Sequence, residues 1–155
     1  ECDAAYYSHN CLTRECPRGD DPLTTGDVNE EHKVVCTGDS GYFTLAFKKV
    51  TSDPIYHSDT LEEMQDKIAV LSSVTDYGIS LAGSDPVCSE EGTITYVEFT
   101  QDFGDIPLLV ADASNLALTN GNASSVVVTE YVKGTKENEF CSNRGVCDPA
   151  LGYCT

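Results

Sequence analysis

The sequence predicts a mainly β protein: an Ig-like β-sandwich of about seven strands with one helix, flanked by cysteine-stapled irregular arms. Three observations predict it. Between residues 32 and 134 the chain breaks into short runs of alternating apolar and polar residues, separated by turn signals. A single stretch, residues 60–72, carries apolar residues at helical spacing. The two ends hold six of the eight cysteines but no apolar period, and sequence of that kind is held by disulfides rather than by a core. The boundaries follow: a cysteine-containing N-terminal arm over 1–31, the sandwich over 32–134 and a C-terminal segment over 135–155.

In the arm, Cys2, Cys11 and Cys16 punctuate the chain, and Pro17, Gly19, Pro22 and Gly26 interrupt any regular element. After Leu23, Val28 is almost its only aliphatic residue. His32–Cys36 is the first strand and Thr37–Gly41 a turn. Tyr42–Phe47 alternates, which puts Phe43, Leu45 and Phe47 on one face. Pro54–His57 reads as an edge-like strand, because proline fits only at an edge or a strand start. The helix follows. Ser58, Asp59 or Thr60 caps it, and Thr60 with Glu63 has capping-box spacing. Leu61, Met64, Ile68 and Leu71 form its apolar stripe, while Glu62, Glu63 and Asp66 suit the positive end of the helix dipole.

Strands then resume. Val74–Leu81 carries Tyr77, Ile79 and Leu81 in alternation. In Gly92–Gln101, Ile94, Tyr96 and Glu98 oppose Thr95, Val97 and Phe99. Leu108–Val110 is short. In Ser125–Lys133, Val126, Val128, Glu130 and Val132 oppose Val127, Thr129 and Tyr131. Tyr77 and Tyr96 are expected in the core. Cys36 closes the first strand and Cys88 stands just before the fifth, and no other cysteine lies inside the sandwich. These two are expected to pair, closing a loop of about fifty residues worth on the order of 3–4 kcal/mol in the chain-entropy model.

Composition narrows the function. The 155 residues suffice for one compact domain with extensions. Nine basic against 26 acidic residues leave a net charge of −17, which makes nucleic acid and anionic lipid poor partners. Acidity spread along the chain favours solubility, divalent cations or a glycan-rich setting. Eight cysteines with one methionine suit an oxidising compartment. No apolar run approaches the ~20 residues that span a bilayer, so no membrane insertion is expected. With no initiating methionine and no signal-type segment, the chain reads as a processed or excised extracellular piece. His9, His32 and His57 lack metal-ligand spacing, and no G-x-S-x-G, H-E-x-x-H, phosphate loop or C-x-x-C occurs. The chain is therefore not expected to be an enzyme, and no cofactor is expected beyond calcium.

A few residues invite other chemistry. Asn122-Ala123-Ser124 is the one N-glycosylation acceptor, and it follows the turn pair Asn120-Gly121. Pro17 and Pro22 lie in polar extended sequence open to hydroxylation and O-linked sugar. Asp20, Asp21 and Asp27 can supply carboxylate oxygens to Ca²⁺, although their spacing is not that of an EF-hand. Arg18-Gly19-Asp20 matches a cell-adhesion tripeptide that also arises by chance.

The terminal stretch Cys141–Thr155, with cysteines at 141, 147 and 154, resembles the middle of an epidermal-growth-factor-like (EGF-like) module of the tenascin type. Glu1-Cys2-Asp3 resembles the closing cysteine of such a module. The segments from Arg14 to Glu30 and from Val132 to Asn138 are similar to those of extracellular glycoproteins of stramenopile algae and oomycetes. That group includes sexually induced and flagellar-hair (mastigoneme) proteins, with EGF-like modules between β-rich domains. The resemblance extends, more loosely, to subunits of glycan-coated extracellular fibrils. It implies that Cys141, Cys147 and Cys154 are the second, third and fourth cysteines of the module, with a fifth due two residues beyond Cys154. Second pairs with fourth, giving Cys141–Cys154. First pairs with third, so Cys147 needs a partner in the arm, at Cys2, Cys11 or Cys16, or in a neighbouring unit. Cys11–Cys16 is a sterically easy local loop, which leaves Cys2 with Cys147.

The function expected on these grounds is structural. The chain reads as a secreted subunit of an extracellular glycoprotein filament or cell-surface appendage, joining copies of itself head to tail and carrying glycans. The alternative is a monomeric adhesion or recognition module that binds a receptor or carbohydrate through an exposed patch drawn from Tyr6, Tyr7, Tyr42, Tyr56, Tyr77 and Tyr96, the last two being expected rather in the core.

Overall fold

A computed structural model of the chain describes residues 6–7, 13–71 and 78–155. In chain order the elements begin with β1 (Tyr6–Tyr7), β2 (Thr13–Arg14) and β3 (Arg18–Gly19). Next come β4 (Glu30–Thr37), β5 (Ser40–Phe47), β6 (Val50–Thr51), β7 (Ile55–Tyr56) and helix α1 (Leu61–Ile68), which runs into a 3₁₀ turn over Ala69–Leu71. The chain continues with β8 (Ile79–Gly83), β9 (Thr93–Phe99), β10 (Val110–Asp112), β11 (Leu116–Ala117) and β12 (Ser125–Val132). It ends with β13 (Glu139–Phe140), a 3₁₀ turn over Cys141–Asn143, β14 (Cys147–Asp148) and β15 (Tyr153–Cys154). The protein is mainly β, as its alternating pattern requires. Two compact units result: Asn29–Gly134, and the two ends Glu1–Val28 and Thr135–Thr155 together. The expected boundary at residue 31 moves back to 28, and the arm and the tail are one unit rather than two.

The larger unit is a sandwich of two antiparallel sheets. One has the strand order β12-β4-β9-β8. The other is built on β5: Ala46 lies opposite Val110 of β10 and also opposite Thr51 of β6, so β10 and β11 flank one side of β5 and β6 and β7 the other. Strict alternation decides which residues turn inward. In β4 these are Glu30, His32, Val34 and Cys36; in β9, Thr93, Thr95, Val97 and Phe99; in β5, Phe43, Leu45 and Phe47. Ile55, Met64, Ile68, Leu71 and Val87 complete a single core. Each fully buried aliphatic or aromatic side chain contributes about 1.5–3 kcal/mol by leaving water.

Helix α1 starts where its cap dictates. Thr60 accepts the Glu63 amide, and Glu63 returns a carboxylate to the Thr60 amide. Asp85 adds a second carboxylate, accepting the Leu61 amide at 2.6 Å. Met64 and Ile68 face the core. Gln65 Nε2 donates to the Ile79 carbonyl at 2.7 Å, so the helix lies along β8 and covers that edge of the sheet. The expected pair Cys36–Cys88 is present and buried, spanning 52 residues of sequence.

Two expectations change. Tyr96 is not in the core: it stands on the outer face of β9, because Val97 and Phe99 take the inner one. Tyr77 lies outside the described residues. The first strand starts at Glu30, not at His32, since pairing with β9 continues to Glu30 opposite Phe99.

The smaller unit has almost no aliphatic core. Among the described residues it is held by the short pairings β1–β2, β3–β13 and β14–β15 and by two disulfides. Cys141 bonds Cys154 and Cys16 bonds Cys147. The expected pairs Cys11–Cys16 and Cys2–Cys147 are therefore corrected; Cys2 and Cys11 themselves lie outside the described residues. The reason is in the backbone. Arg14 N–H donates to the Pro149 carbonyl at 2.9 Å and Cys141 N–H to the Pro17 carbonyl at 2.7 Å. The arm thus runs along the β14–β15 hairpin, and the Cys16 sulfur is buried against it. With Cys16 counted first, the two bonds join first to third and second to fourth. The sandwich is inserted between the first and second of these cysteines.

Candidate interaction surface

The four-stranded sheet treats its two edges unequally. The β8 edge is covered by α1. The β12 edge pairs with β4 alone, from Ser125 opposite Thr37 to Val132 opposite Glu31, with an irregularity between Glu130 and Val132. Among the described residues, no strand pairs with its other side. An unpaired strand edge offers a row of amides and carbonyls to any second chain, and proteins usually guard it with charge, proline or a covering element. Here the eight residues Ser-Val-Val-Val-Thr-Glu-Tyr-Val contain one charge, Glu130, and no proline.

The surroundings of this edge are apolar. β10 runs beside β12, and Ala111, Val126 and Val128 pack against the core from these two elements, with Ala113 just after β10. Val127, Tyr131, Val110 and Leu108 remain 50%, 57%, 66% and 44% exposed. Val127 belongs to the outer face of the sheet, which carries charge as well, at Lys33 and at Glu31 opposite Glu98. Val127, Val35 and Ile94 lie opposite one another across β12, β4 and β9. Thr129, Lys33, Tyr96 and Ala82 form the next row, across β8 as well. The rings of Tyr96 and Tyr131 meet at 4.7 Å. A second tyrosine pair, Tyr42 and Tyr56, meets at 5.6 Å on the other sheet, with Lys67 Nζ 4.9 Å from the Tyr56 ring. Tyr131 had no place in the expected aromatic patch, because a β-branched strand with valines on both faces does not reveal which face is outward. The side chains of Tyr6 and Tyr7 lie outside the described residues.

The glycosylation acceptor stands at the entrance to this edge. Asn122 is exposed, in the turn that precedes β12, and its amide donates to Asn120 Oδ1 at 2.9 Å. Ser124, the acceptor's hydroxyl residue, donates to the Leu116 carbonyl at 2.7 Å. Pro17 and Pro22 are also exposed.

Of the three aspartates considered for calcium, the structure gathers two. Carboxylate oxygens of Asp20, Asp27 and Glu137 lie within 4.8 Å of one another, all half-buried. Glu137 comes from the far end of the chain, so no local spacing announces it. Asp21 is otherwise engaged. It accepts Asn143 Nδ2 at 2.7 Å and the Leu23 amide at 2.9 Å, and these bonds, the Asn143 one foremost, hold its carboxyl below the usual range. Three carboxylates supply part of the six to eight oxygens that Ca²⁺ takes, the rest falling to carbonyls and water. The adhesion tripeptide is built into β3 rather than displayed on a loop. Arg18 lies 3.5 Å from the Phe140 ring centre, pairs with Glu15 at 3.1 Å and donates to the Asn138 carbonyl at 2.9 Å, and Gly19 is buried.

Sequence reasoning also missed a buried polar pair, Glu30 and His32, both on the inner face of β4. His32 Nε2 lies 3.0 Å from Glu30 Oε1, while Glu30 Oε2 accepts the amides of Ile106 at 3.1 Å and Gly134 at 3.2 Å. Alternation from Val34 and Cys36 back through His32 carries the signal for it. Among the described residues no helix is long and apolar enough to cross a membrane. No protein-family model matches the chain, and no curated protein matches it significantly in sequence.

Proposed function

We propose that this protein is a structural subunit of a secreted glycoprotein filament or surface appendage and assembles from copies of itself. The observation that carries this reading is the open β12 edge, with one charge among its eight residues, beside the exposed Val127 and Tyr131. Strand addition uses such an edge for affinity and the alternating side chains for register. Charge argues for this place over others. Copies with a net charge of −17 repel one another, and a contact must form where local charge is low. Among the described cysteines all partners are within the chain, so the joint considered for Cys147 is non-covalent. β12 set against β12 is two-fold and closes as a dimer. Head-to-tail growth therefore requires β12 of one copy to meet a different surface of the next. Asn122 at the mouth of the edge fits a glycan-bearing exterior.

Light scattering and negative-stain microscopy test the proposal. Wild-type protein should form extended assemblies, and Val127→Lys, at an exposed position, should abolish them while leaving circular dichroism unchanged. Wild-type protein that stays a monodisperse monomer under all native conditions overturns it.

The second reading, a monomeric recognition module, is favoured by the two tyrosine pairs, each with one exposed ring, Tyr56 and Tyr131. Rings with one free face suit neutral sugars. It requires that Tyr131→Ala remove glycan binding by a wild-type monomer.

A further inference from the structure

We infer that His32 is an acid-operated latch on residues 106–110. Its imidazole is fully buried, edge-on to Phe99 with ring centres 4.9 Å apart. Nδ1 lies 3.4 Å from the Leu109 amide nitrogen, and a backbone amide can only donate. Nδ1 is therefore the acceptor, and the single ring proton of the neutral form sits on Nε2, pointed at Glu30 Oε1 at 3.0 Å. Both nitrogens are satisfied, and Glu30 ties in the same segment through the Ile106 amide at 3.1 Å.

A second proton can go only to Nδ1. There it meets an N–H and breaks the bond to Leu109. The contact from Nε2–H to Glu30 survives, now as an ion pair. Acid thus opens one of the two contacts selectively. The contact opened lies in the segment bearing the exposed Leu108 and Val110, next to β12, whose flanks stay tied by the Ile106 amide to Glu30 and by Val110 to β5.

The charges around the pair come from three directions. Glu30 lies on the same strand. From β12, Glu130 stands opposite His32 in register, and Lys133 follows it, bonded to Asp105 in the loop after β9. Carboxylate oxygens of Asp105 and Glu130 lie within 4.8 Å of Glu30's. β9 presents Val97 and Phe99 and no charge on this face.

The effect of the latch on assembly rests on the proposed role of the β12 edge; the latch itself does not. The test is NMR on the ¹⁵N-labelled full chain, titrated from neutral to acid pH. Ring-nitrogen shifts should show Nδ1 passing from acceptor to protonated. The protection factor of the Leu109 amide should fall roughly tenfold or more while those of Val34 and Val97 hold, as in a local opening. His32→Gln, which keeps a donor for Glu30 and cannot take the second proton, should make Leu109 protection independent of pH. Protonation at Nδ1 with Leu109 still protected overturns the latch, as does an imidazole that stays neutral throughout. If the variant does not fold, the wild-type titration decides alone. Light scattering on the same samples separates the two ideas: a released Leu109 with unchanged assembly upholds the latch and rejects its link to the β12 edge.

Discussion

Cys16 and Cys147 are bonded across 131 residues of sequence, yet the loop they close is effectively short. The sandwich between them brings its own ends together: Gly134 N–H donates to Glu30 Oε2 at 3.2 Å, and Thr135 N–H to the Val28 carbonyl at 3.1 Å. The disulfide therefore orders only the arm and the tail, roughly 25 residues of free chain, for about 3 kcal/mol rather than the value of a hundred-residue loop.

Replacing both cysteines, Cys16→Ser with Cys147→Ser, should loosen the smaller unit and leave the sandwich intact. Amide exchange checks this. Protection should fall by about 3 kcal/mol or be lost at Cys141 and Arg14, whose amides bond across the unit, with no change at Val34. Non-reducing peptide mapping should return the Cys16–Cys147 peptide. A Cys11–Cys16 peptide in its place would contradict the fold of this unit.

How far the sequence could be read depended on whether a residue's partner was near or far along the chain. β4, β5, β9 and α1 were legible because one periodicity, or one capping pair, decides each of them. The pair Cys36–Cys88 was legible because no third cysteine competes inside the sandwich. Cys16–Cys147 was not, because three arm cysteines were equivalent on paper and only the run of the arm along the β14–β15 hairpin distinguishes them. Glu137 joins Asp20 and Asp27 by the same long-range pairing. Tyr96 was misplaced because β9 carries apolar residues on both faces, Ile94 and Tyr96 on the outer one and Val97 and Phe99 on the inner.

Gly41 should not tolerate a side chain. Its φ is +81°, and a Cβ there would lie 2.0 Å from the Asn115 carbonyl oxygen, where β11 approaches β5. Gly41→Ala combines a left-handed backbone with a backbone clash, for a cost of about 3 kcal/mol. A fall in Tm of more than about 10 °C is expected in thermal melts. Gly121→Ala is the control: φ is +82° but nothing lies within 4 Å, so only the backbone term remains.

The smaller unit should lose stability in acid through Asp21. Its carboxyl is held low by Asn143 first, then by the Leu23 amide and the Arg144 charge. A depressed carboxyl stabilises the fold above its unfolded pKa of about 3.9, and that contribution disappears as pH falls through the folded value. Wild-type protein should therefore exceed Asp21→Asn in stability at neutral pH, and the two should converge below about pH 4. Amide exchange at Leu23 across this range reads the difference. A constant gap at all pH values would show that the bonds of Asp21 do not depend on its charge.

Salt separates the two ways in which copies of this chain can adhere. At a net charge of −17, repulsion between copies acts over a Debye length of about 8 Å at physiological ionic strength and about 3 Å at 1 M. A contact made by the β12 backbone and by Val127, Tyr131, Val110 and Leu108 has almost no charge of its own to screen, so added salt removes only the repulsion. Assembly should rise steadily with sodium chloride, and equally with potassium chloride. A contact held by ion pairs behaves in the opposite way and dissolves as salt is added. Light scattering across a salt series at fixed protein concentration decides between them. Assemblies that disperse in high salt would move the joint away from β12 to one of the charged faces.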